Sequence, residues 1–476
     1  MQTPFFRLFT PAMKAFKVPL FNQADRIFLW IAALFGVLYI FITPPFQAPD
    51  EFFHFYRAYQ LSEGQVMAIK EGNQVGGLLP RSLQTVSLPF MGLPHQPENR
   101  LSLAQLGDAL KLPLGDTGDR IFMHLSTMAL YSPIPYIPAT VGVGLGKLVG
   151  LSPLALTYVG RLFNLAAWIA LGYAALRITP IFRWVMLLLL LTPMSLFLAA
   201  SLSADAITNG LAFVLVALVL RTAFGDSETL SRRDVGAIAL TTTLLALSKQ
   251  AYVPLAFLWL LIPISKAKNP QRYWLWFGLV LLVSVGTSLL WASWIKPLYV
   301  PLNPFHPPES QSPDGQLAYV LAHPIAFFQV VKKTVDLLGD TWLHQFIGHL
   351  GWVDVPLPIP FVVSYFGVLI GAALGDGDRK IQIHLWKKLG LATLFVLNGL
   401  LLCLSIYLVW APVGGTVIEG IQGRYFIPLS PALFLLFYNQ RWLFLNKLKK
   451  QFSLFISLYL LFSSGLTAAI LVHRYY

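Results

Sequence analysis

Long apolar runs recur along the whole chain and restrict its fold more than any other feature. The stretch WLWFGLVLLVSVGTSLLWASW, residues 274–294, has no charged side chain. A run of about 20 apolar residues can cross the hydrocarbon core of a bilayer as a helix. The chain is 56% hydrophobic and only 12% charged, which lies outside the composition of soluble domains. These observations predict an all-α, polytopic transmembrane helical protein.

The apolar segments number about eleven when those slightly short of a full span are included. They are residues 27–43, 162–177, 184–200, 206–221, 235–248, 250–264, 273–294, 357–374, 389–411, 425–438 and 452–472. Because no internal repeat or low-complexity tract divides the chain, we interpret residues 1–476 as a single membrane domain.

The distribution of charge predicts the orientation of these spans, because cytoplasmic loops retain an excess of Lys and Arg. With the N-terminus in the cytoplasm, 20 of the 34 basic residues fall on the inner side, in about a sixth of the chain. By the same boundaries, 15 of the 21 acidic residues lie on the outer side. Inner loops that face anionic headgroups thus account for much of the net charge of +13, and nucleic-acid binding is not expected.

Two outer segments, residues 44–161 and 295–356, are too long to be simple connections, and loops of that length usually carry structure or function. Residues 131–150 in the first loop are apolar but contain three Pro and four Gly. This composition favours a helix that lies in, or dips into, the outer interface. If residues 131–150 instead span the membrane, the orientation of every later segment is inverted.

The sequence TPPFQAPDEFFHFYRAYQ, residues 43–60, follows the first predicted span. Three prolines disfavour helix before Asp50, which is then placed to cap a helix that begins at Glu51. On that helix Asp50, His54 and Arg57 share one face. Aromatic residues form the opposite face, a pattern typical of an amphipathic helix at headgroup level. The three polar residues either form part of a site or serve only as a cap and as packing or headgroup contacts.

A second acid, Asp205, lies at the outer end of the third predicted span, where the fourth begins. Two carboxylates on one membrane face can activate a hydroxyl group or hold a divalent cation. Three cations are predicted at the same depth, namely Arg161, Lys249 and Arg424. Ionisable groups near a bilayer are unfavourable unless they are paired or used, so this cluster predicts a functional site. The alternatives are that Asp205 caps a helix and that Lys249 extends toward the interface.

The second outer loop contains GDTWLHQFIGHLGWVDVPLP, with four further candidate ligands: Asp340, His344, His349 and Asp354. Two histidines five residues apart diverge on a helix, so an aromatic helix is favoured over a metal site. Cys403 is the single cysteine, which excludes a disulfide framework within the chain and a thiolate metal cluster.

Six motifs, in this order, resemble a bacterial family of polytopic membrane proteins that is catalogued as a domain of unknown function within the GT-C glycosyltransferase superfamily. They are PPFQAPDEFFHFYRAYQLSEGQ, YSPIPYIPATVGVGLG, GRLFNL, TPMSLFLAASLSADAITN, LSKQAYVPL and GRYFIPLSP, and they extend over nearly the whole chain. The resemblance implies a GT-C-like fold. It also implies transfer of a sugar from a polyprenyl-phosphate donor to a glycan, lipid or protein acceptor.

By this resemblance, Asp50 with Glu51 matches the catalytic acid of the first outer loop, and Asp205 matches a second acid. Ser-Ala-Asp stands where many members have Asp-x-Asp, which leaves open whether a divalent cation (Mg or Mn) takes part. The implied reaction is an inverting transfer at the outer, periplasmic face of a bacterial inner membrane. The implied donor-phosphate residues are Lys249, Arg424, Arg161 and Tyr425, with His54 and Arg57 in support.

Two other functional classes stay open from the sequence. One is a transporter or flippase for lipid-linked saccharides, which would also need charged groups and an outer cavity. Transporters commonly show paired broken helices and repeat symmetry, and neither is evident in the sequence. The other is a non-catalytic component of an envelope assembly.

Overall fold

The structure is a computed structural model that describes residues 23–115, 118–440, 442 and 448–476. Residues 1–26 and 439–451, two of the segments that the charge distribution assigns to the inner side, lie partly outside these residues.

The first half of the described chain is mostly helical but also holds a small sheet. Its elements are α1 (Ala24–Ile42), α2 (Glu51–Ser62), β1 (Ile69–Glu71), β2 (Gln74–Pro80), α3 (Arg81–Ser87), α4 (Leu103–Lys111), β3 (Arg120–His124), α5 (Ile137–Leu148), α6 (Pro153–Ile178), α7 (Arg183–Leu190), α8 (Pro193–Ala199) and α9 (Asp205–Phe224).

The second half contains the remaining long helices and a two-stranded hairpin. Its elements are α10 (Arg232–Ser248), α11 (Pro270–Ile295), α12 (Pro313–Ala322), α13 (Pro324–Gly348), β4 (His349–Leu350), β5 (Val355–Pro356), α14 (Ile359–Gly375), α15 (Leu385–Trp410), α16 (Ser430–Phe434) and α17 (Lys449–Tyr475). Two 3-10 helices, Gln250–Leu261 and Gly423–Leu429, replace α-helix in two of the predicted spans.

Six of the helices in the described chain are long and apolar enough to cross a membrane: α1, α6, α9, α11, α15 and α17. The polytopic, mainly helical class is therefore confirmed. The other predicted spans correspond to shorter or broken helices, so a total of about eleven stays a prediction. The all-α prediction missed the strands β1 to β5.

Prolines explain most of the shortened spans, because a proline has no N–H to donate to the helix. The predicted span 184–200 is split into α7 and α8 before Pro193, and the Thr192 side chain caps α8 by accepting a backbone hydrogen bond at 3.2 Å. Pro254 and Pro428 lie inside the two 3-10 helices. Apolar composition alone could not show where these breaks fall.

Helix α9 forms the centre of the bundle, because 83% of its most apolar 18-residue stretch is buried. The corresponding buried share is 28% in α11 and in α15. Helix α6 packs against α1, α5 and α9, and α10 packs between α9 and α11. The exposed apolar sides of α11 and α15 are suited to contact with lipid. The chain segment before α9 is therefore enclosed by the protein, whereas one side of α11 and one side of α15 are exposed.

The first outer loop folds against this bundle. Helix α2 begins at Glu51, as predicted, but Phe55, Tyr56 and Tyr59 are all at least 96% buried. The prediction of an amphipathic helix at headgroup level is therefore wrong, because α2 is enclosed by α5, by the strands and by the loop that contains Ser126–Leu130. Its aromatic face forms part of the protein core.

Residues 131–150 contain α5, which has 12 residues. At about 1.5 Å per residue, α5 is roughly 18 Å long and too short to cross a hydrocarbon core of about 30 Å. Gly142 and Gly146 face α6 and Leu151–Leu156, and a Cβ on Gly146 would lie 2.6 Å from the Leu156 side chain. The glycines in this segment thus allow close packing of α5 against its neighbour.

Candidate functional site

Four helix ends meet at one end of the bundle, and each carries a charged residue. Asp50 immediately precedes α2, and Asp205 is the first residue of α9. Lys249 follows the last residue of α10, and Arg424 lies in the first turn of the 3-10 helix Gly423–Leu429. Residues far apart in sequence are thus brought to the same end of the molecule.

One buried ion pair at this end is fully satisfied within the protein. The Arg161 guanidinium donates to both carboxylate oxygens of Glu51, at 2.7 Å from Nε and 2.6 Å from Nη2. It also donates to the carbonyls of Ile40, Thr43 and Pro44 at 2.8–2.9 Å. Both side chains are completely buried. Arg161 therefore closes the C-terminal end of α1 and fixes the chain that leads to Asp50.

These contacts change the interpretation of two predicted site residues. A guanidinium has five N–H donors, and all five of Arg161 are used by the protein. The donor-phosphate role predicted for Arg161 does not fit this geometry. Glu51 accepts from Arg161 and from the backbone N–H of Leu202 at 3.1 Å, so its carboxylate is a structural anion and does not fit the predicted catalytic role.

A second acid–base pair is left largely unsatisfied. Arg424 is 4% exposed, and its Nε lies 3.6 Å from Asp205 Oδ2, which is beyond hydrogen-bonding distance. Among the described residues, neither Nε nor Nη1 of Arg424 has a hydrogen-bond partner. Buried polar groups are nearly always paired, so these two donor atoms of Arg424 are available to a ligand. The side chain of Asp205 is 16% exposed.

Lys249 lies beside Arg424 and is held by aromatic rings rather than by a carboxylate. Its Nζ is 3.6 Å from the centre of the Tyr425 ring and 6.0 Å from that of Tyr252. It forms no ion pair with any residue in the described part of the chain. The Tyr252 hydroxyl donates to the Tyr425 carbonyl at 2.8 Å and so fixes the backbone next to Arg424. Cation–π contact orients an ammonium group while leaving its N–H donors available.

Asp50 has a left-handed backbone conformation, with φ 60° and ψ 16°. Its side chain makes no capping hydrogen bond, so the prediction that it caps α2 is wrong even though the helix begins where expected. Burial raises the pKa of the Asp50 carboxyl; the charge of Arg424 opposes this shift and that of Asp205 adds to it. Asp50, Asp205 and Arg424 are therefore close enough to act on one another electrostatically.

The two supporting residues have different surroundings. His54 lies one turn after Asp50, and its Nδ1 is 2.8 Å from the Tyr136 hydroxyl. Burial lowers the pKa of His54 to about 3, so the imidazole is neutral at ordinary pH. Arg57 is fully buried and donates to Gln60 at 2.5 Å and to the carbonyls of Val66 and Tyr131. Arg57 therefore stabilises the first outer loop, and its supporting role stays a prediction.

The structure adds three tyrosines that the sequence analysis did not select: Tyr131, Tyr136 and Tyr252. The rings of Tyr131 and Tyr136 are 6.4 Å apart. Burial raises the pKa of both hydroxyls, and the charges of Asp50 and Asp205 act in the same direction. All three lie within motifs already quoted, YSPIPYIP and LSKQAYVPL. Nothing in the sequence distinguishes these tyrosines, because only the folded structure shows that they lie near the charged groups.

The predicted ligands of the second outer loop are placed elsewhere. His344 and His349 do not diverge, because α13 ends at Gly348 and brings the two rings to 5.1 Å. His344 bonds the Leu357 carbonyl at 2.7 Å, and Asp354 lies 3.5 Å from Arg474. No group of three acidic, His or Cys side chains that could hold a metal ion occurs within the described ranges.

The fold and these contacts define a class, a polytopic helical membrane protein with a partly unsatisfied charged cluster at one end of its bundle. Residues 33–433 match the model of a family described as a predicted membrane protein, DUF2142. Because this match covers most of the chain, the protein belongs to that family. Neither the curated proteins nor the solved structures contain a significant match.

Proposed function

We propose that this protein is a membrane glycosyltransferase that uses a polyprenyl-phosphate-linked sugar as its donor. The observation that supports the proposal best is Arg424, a buried guanidinium with two unpaired donor atoms next to the ammonium of Lys249. A phosphate group is the ligand that would satisfy both cations, because Arg offers directed N–H bonds and Lys a point charge. A carboxylate with raised pKa lies in the same cluster.

In the proposed reaction, an acceptor hydroxyl attacks the anomeric carbon of the donor sugar from the side opposite the phosphate. Asp50 accepts the hydroxyl proton as the new C–O bond forms. The bond between the anomeric carbon and the phosphate oxygen breaks, and its electron pair leaves with the polyprenyl phosphate. Arg424 and Lys249 stabilise the charge that develops on that oxygen, and the sugar is transferred with inversion.

Asp205 and Tyr425 have positioning roles in this mechanism. Asp205 keeps Arg424 ionised and oriented through their contact at 3.6 Å. The Tyr425 ring holds the Lys249 ammonium. The site is proposed to face the periplasm of a bacterial inner membrane, with the N-terminus in the cytoplasm, in line with the distribution of basic residues. The acceptor is a glycan, lipid or protein.

The proposal is tested with protein purified in detergent. Undecaprenyl phosphate should raise the melting temperature of the parent, whereas the matching polyprenyl alcohol, which lacks phosphate, should not. Sugar transfer is then measured with a panel of polyprenyl-phosphate hexoses as donors. Donor hydrolysis or transfer by the parent is the expected result.

Asp50→Asn provides the matched inactive variant. Asn adopts the left-handed conformation about as readily as Asp, so the melting temperature should remain that of the parent. It cannot accept the proton, so turnover should fall by about a hundredfold or more. A parent-like rate in Asp50→Asn contradicts the assignment of the base. Phosphate-dependent stabilisation without donor cleavage would instead favour a transporter or a non-catalytic carrier of lipid-linked saccharides.

A further inference from the structure

The end of α13 and the hairpin that follows it contact both halves of the candidate site. We call residues 342–356 the clasp, and we propose that the clasp fixes the position of the Asp50 turn relative to Arg424, with Gln345 and Trp352 as its positioning residues. The consequence for sugar transfer rests on the proposed function, whereas the mechanical coupling does not.

The first contact of the clasp is with the chain that carries Arg424. Gln345 Oε1 accepts the backbone N–H of Gly423 at 2.7 Å, and Trp342 Nε1 donates to the Ile421 carbonyl at 3.1 Å. The two backbones are in close contact here, because a Cβ on Gly423 would lie 1.9 Å from the Trp342 carbonyl oxygen. The α13 end therefore fixes the residue immediately before Arg424.

The second contact is with the turn that carries Asp50. Trp352 Nε1 donates to the Phe46 carbonyl at 2.9 Å, and the Trp352 ring stacks on Phe52 at 5.7 Å and 23°. Phe46 and Asp50 both have positive φ values of 60–65°, which are uncommon for residues other than glycine. Such a turn persists only where surrounding contacts hold it. Trp352 supplies one such contact on each side of Asp50, at Phe46 and at Phe52.

The two contacts are joined by a short and well-anchored piece of chain. The Leu357 N–H donates to the Gly348 carbonyl at 3.0 Å and closes the hairpin. Asp354 accepts the backbone N–H groups of Trp352 and His95, each at 2.8 Å, and pairs with Arg474. Trp352 follows Gln345 by only seven positions, so we expect a displacement at one end to reach the other through this short stretch of chain.

The candidate cluster itself has few direct bonds that could set this distance. Asp50 makes no side-chain hydrogen bond at its helix end, and Arg424 leaves two donor atoms unpaired among the described residues. Base and phosphate-binding group must nevertheless be held close to their productive separation, because an error of about 1 Å can reduce a rate by about a hundredfold. Together with the Arg161–Glu51 pair beside Asp50, the clasp sets that separation through contacts outside the cluster.

Hydrogen exchange of the full-length protein in detergent, followed by mass spectrometry, tests the coupling without any substrate. Trp352→Phe keeps an aromatic ring against Phe52 and removes the N–H bond to Phe46. Exchange should become about fivefold faster in residues 44–53 and also in residues 420–427, as loss of one hydrogen bond implies. Trp294→Phe is the control, since Trp294 is 56% exposed on α11, which packs against α10 and not against α13.

The reciprocal variant is Gln345→Met, which has a similar shape but removes the acceptor for Gly423. It should accelerate exchange in residues 420–427 and, through the clasp, in residues 44–53. Faster exchange confined to the segment that each variant touches overturns the proposal, as does an equal effect of Trp294→Phe. If each variant also accelerates exchange in the segment that it does not touch, while neither the parent nor any variant transfers sugar, the positioning role of the clasp is supported and the proposed function is contradicted.

In an active preparation the same variants have a kinetic signature. Trp352→Phe should lower turnover at saturating donor and leave the stabilisation by undecaprenyl phosphate near the parent value, because Arg424 and Lys249 remain in place. A loss of undecaprenyl phosphate binding equal to the loss of turnover would show general damage to the site and contradict a positioning role for Trp352.

Discussion

Two arginines near the same end of the bundle differ in what satisfies their donors. Arg161 is completely buried and gives all five N–H groups to Glu51 and to the carbonyls that end α1. Arg424 is nearly as buried but leaves Nε and Nη1 without a partner in the described chain. Burying donor atoms that lack a hydrogen bond is unfavourable, so Nε and Nη1 of Arg424 are the atoms of this pair that a bound ligand would stabilise.

This difference predicts opposite phenotypes for the same substitution. Arg161→Lys keeps the charge but loses the fork that spans Glu51 and three carbonyls, and each buried acceptor left without a donor destabilises a protein by about 1–3 kcal/mol. Arg424→Lys keeps a cation and loses few bonds, so its melting temperature should stay near that of the parent while stabilisation by undecaprenyl phosphate weakens. Thermal unfolding with and without undecaprenyl phosphate measures both effects. Equal destabilisation by the two variants would remove the distinction between a structural and a ligand-binding arginine.

The raised pKa of Asp50 predicts the acidic limb of the rate profile. A general base acts when deprotonated, so turnover should rise with pH through the Asp50 pKa, above the ordinary value of 3.8. Asp205→Asn removes a like charge and should move the limb to lower pH, whereas Arg424→Gln should move it to higher pH. Because folding raises this pKa, the contribution of Asp50 to stability is greatest below pH 3.8 and declines as pH rises through the folded-state value. A limb that neither variant moves would exclude Asp50 as the titrating group.

Sequence reasoning selected Asp50, Asp205, Lys249 and Arg424 from their residue type and predicted depth, and the structure brings all four to one end. It could not separate Arg424 from Arg161, because the difference lies in carbonyls at the end of α1 that meet Arg161 only after folding. It also could not show that Asp50 makes no cap, since the left-handed backbone at that position depends on the surrounding contacts.

Among the secondary-structure elements, the lengths of the apolar segments predicted where the helices occur. They did not predict where the helices end. The predicted span 184–200 contains Pro193, and its division into α7 and α8 places a capped turn inside the bundle. The three-stranded sheet β1-β2-β3 was missed because the short hairpin β1-β2 pairs with β3, which lies far along the same loop. The close approach of α13 to Gly423 is likewise a contact between elements. In the sequence, the glycine itself is the only sign of this contact.

That glycine gives a prediction for the packing of α13. Gly423→Ala would place a Cβ 1.9 Å from the Trp342 carbonyl oxygen and 2.8 Å from the Phe346 nitrogen, both backbone atoms that cannot rotate away. The 3-10 helix should separate from α13, lowering the melting temperature and weakening the stabilisation by undecaprenyl phosphate. Gly371→Ala in α14 is the matched control, because a Cβ there meets no atom of the described residues within 4 Å. Similar melting temperatures for the two variants would mean that the contact with α13 does not constrain Arg424.

On the scale of the whole molecule, the most buried ion pairs of the described residues lie at the site end of the bundle. The site end holds Asp205 with Arg424, both largely buried. The opposite end holds Arg177 with Asp25 and Arg221 with Asp234, in which the arginines are 62% and 43% exposed. Exposed basic residues at that opposite end agree with the positive-inside distribution seen along the sequence. The connectivity supports this division, because α9 begins at Asp205 and ends near Arg221.

The orientation proposed for the molecule can be tested on the full chain, since Cys403 is its single cysteine and is buried. In a Cys403→Ala background, Thr416→Cys places an exposed thiol in the loop that leads from α15 to Arg424. Ser227→Cys places one in the exposed loop between α9 and α10, at the opposite end. A membrane-impermeant maleimide added to intact spheroplasts should label Thr416→Cys at once and Ser227→Cys only after lysis. Labelling of Ser227→Cys alone would invert the protein and place Asp50, Asp205 and Arg424 on the cytoplasmic side, where the donor would have to be used before it crosses the membrane.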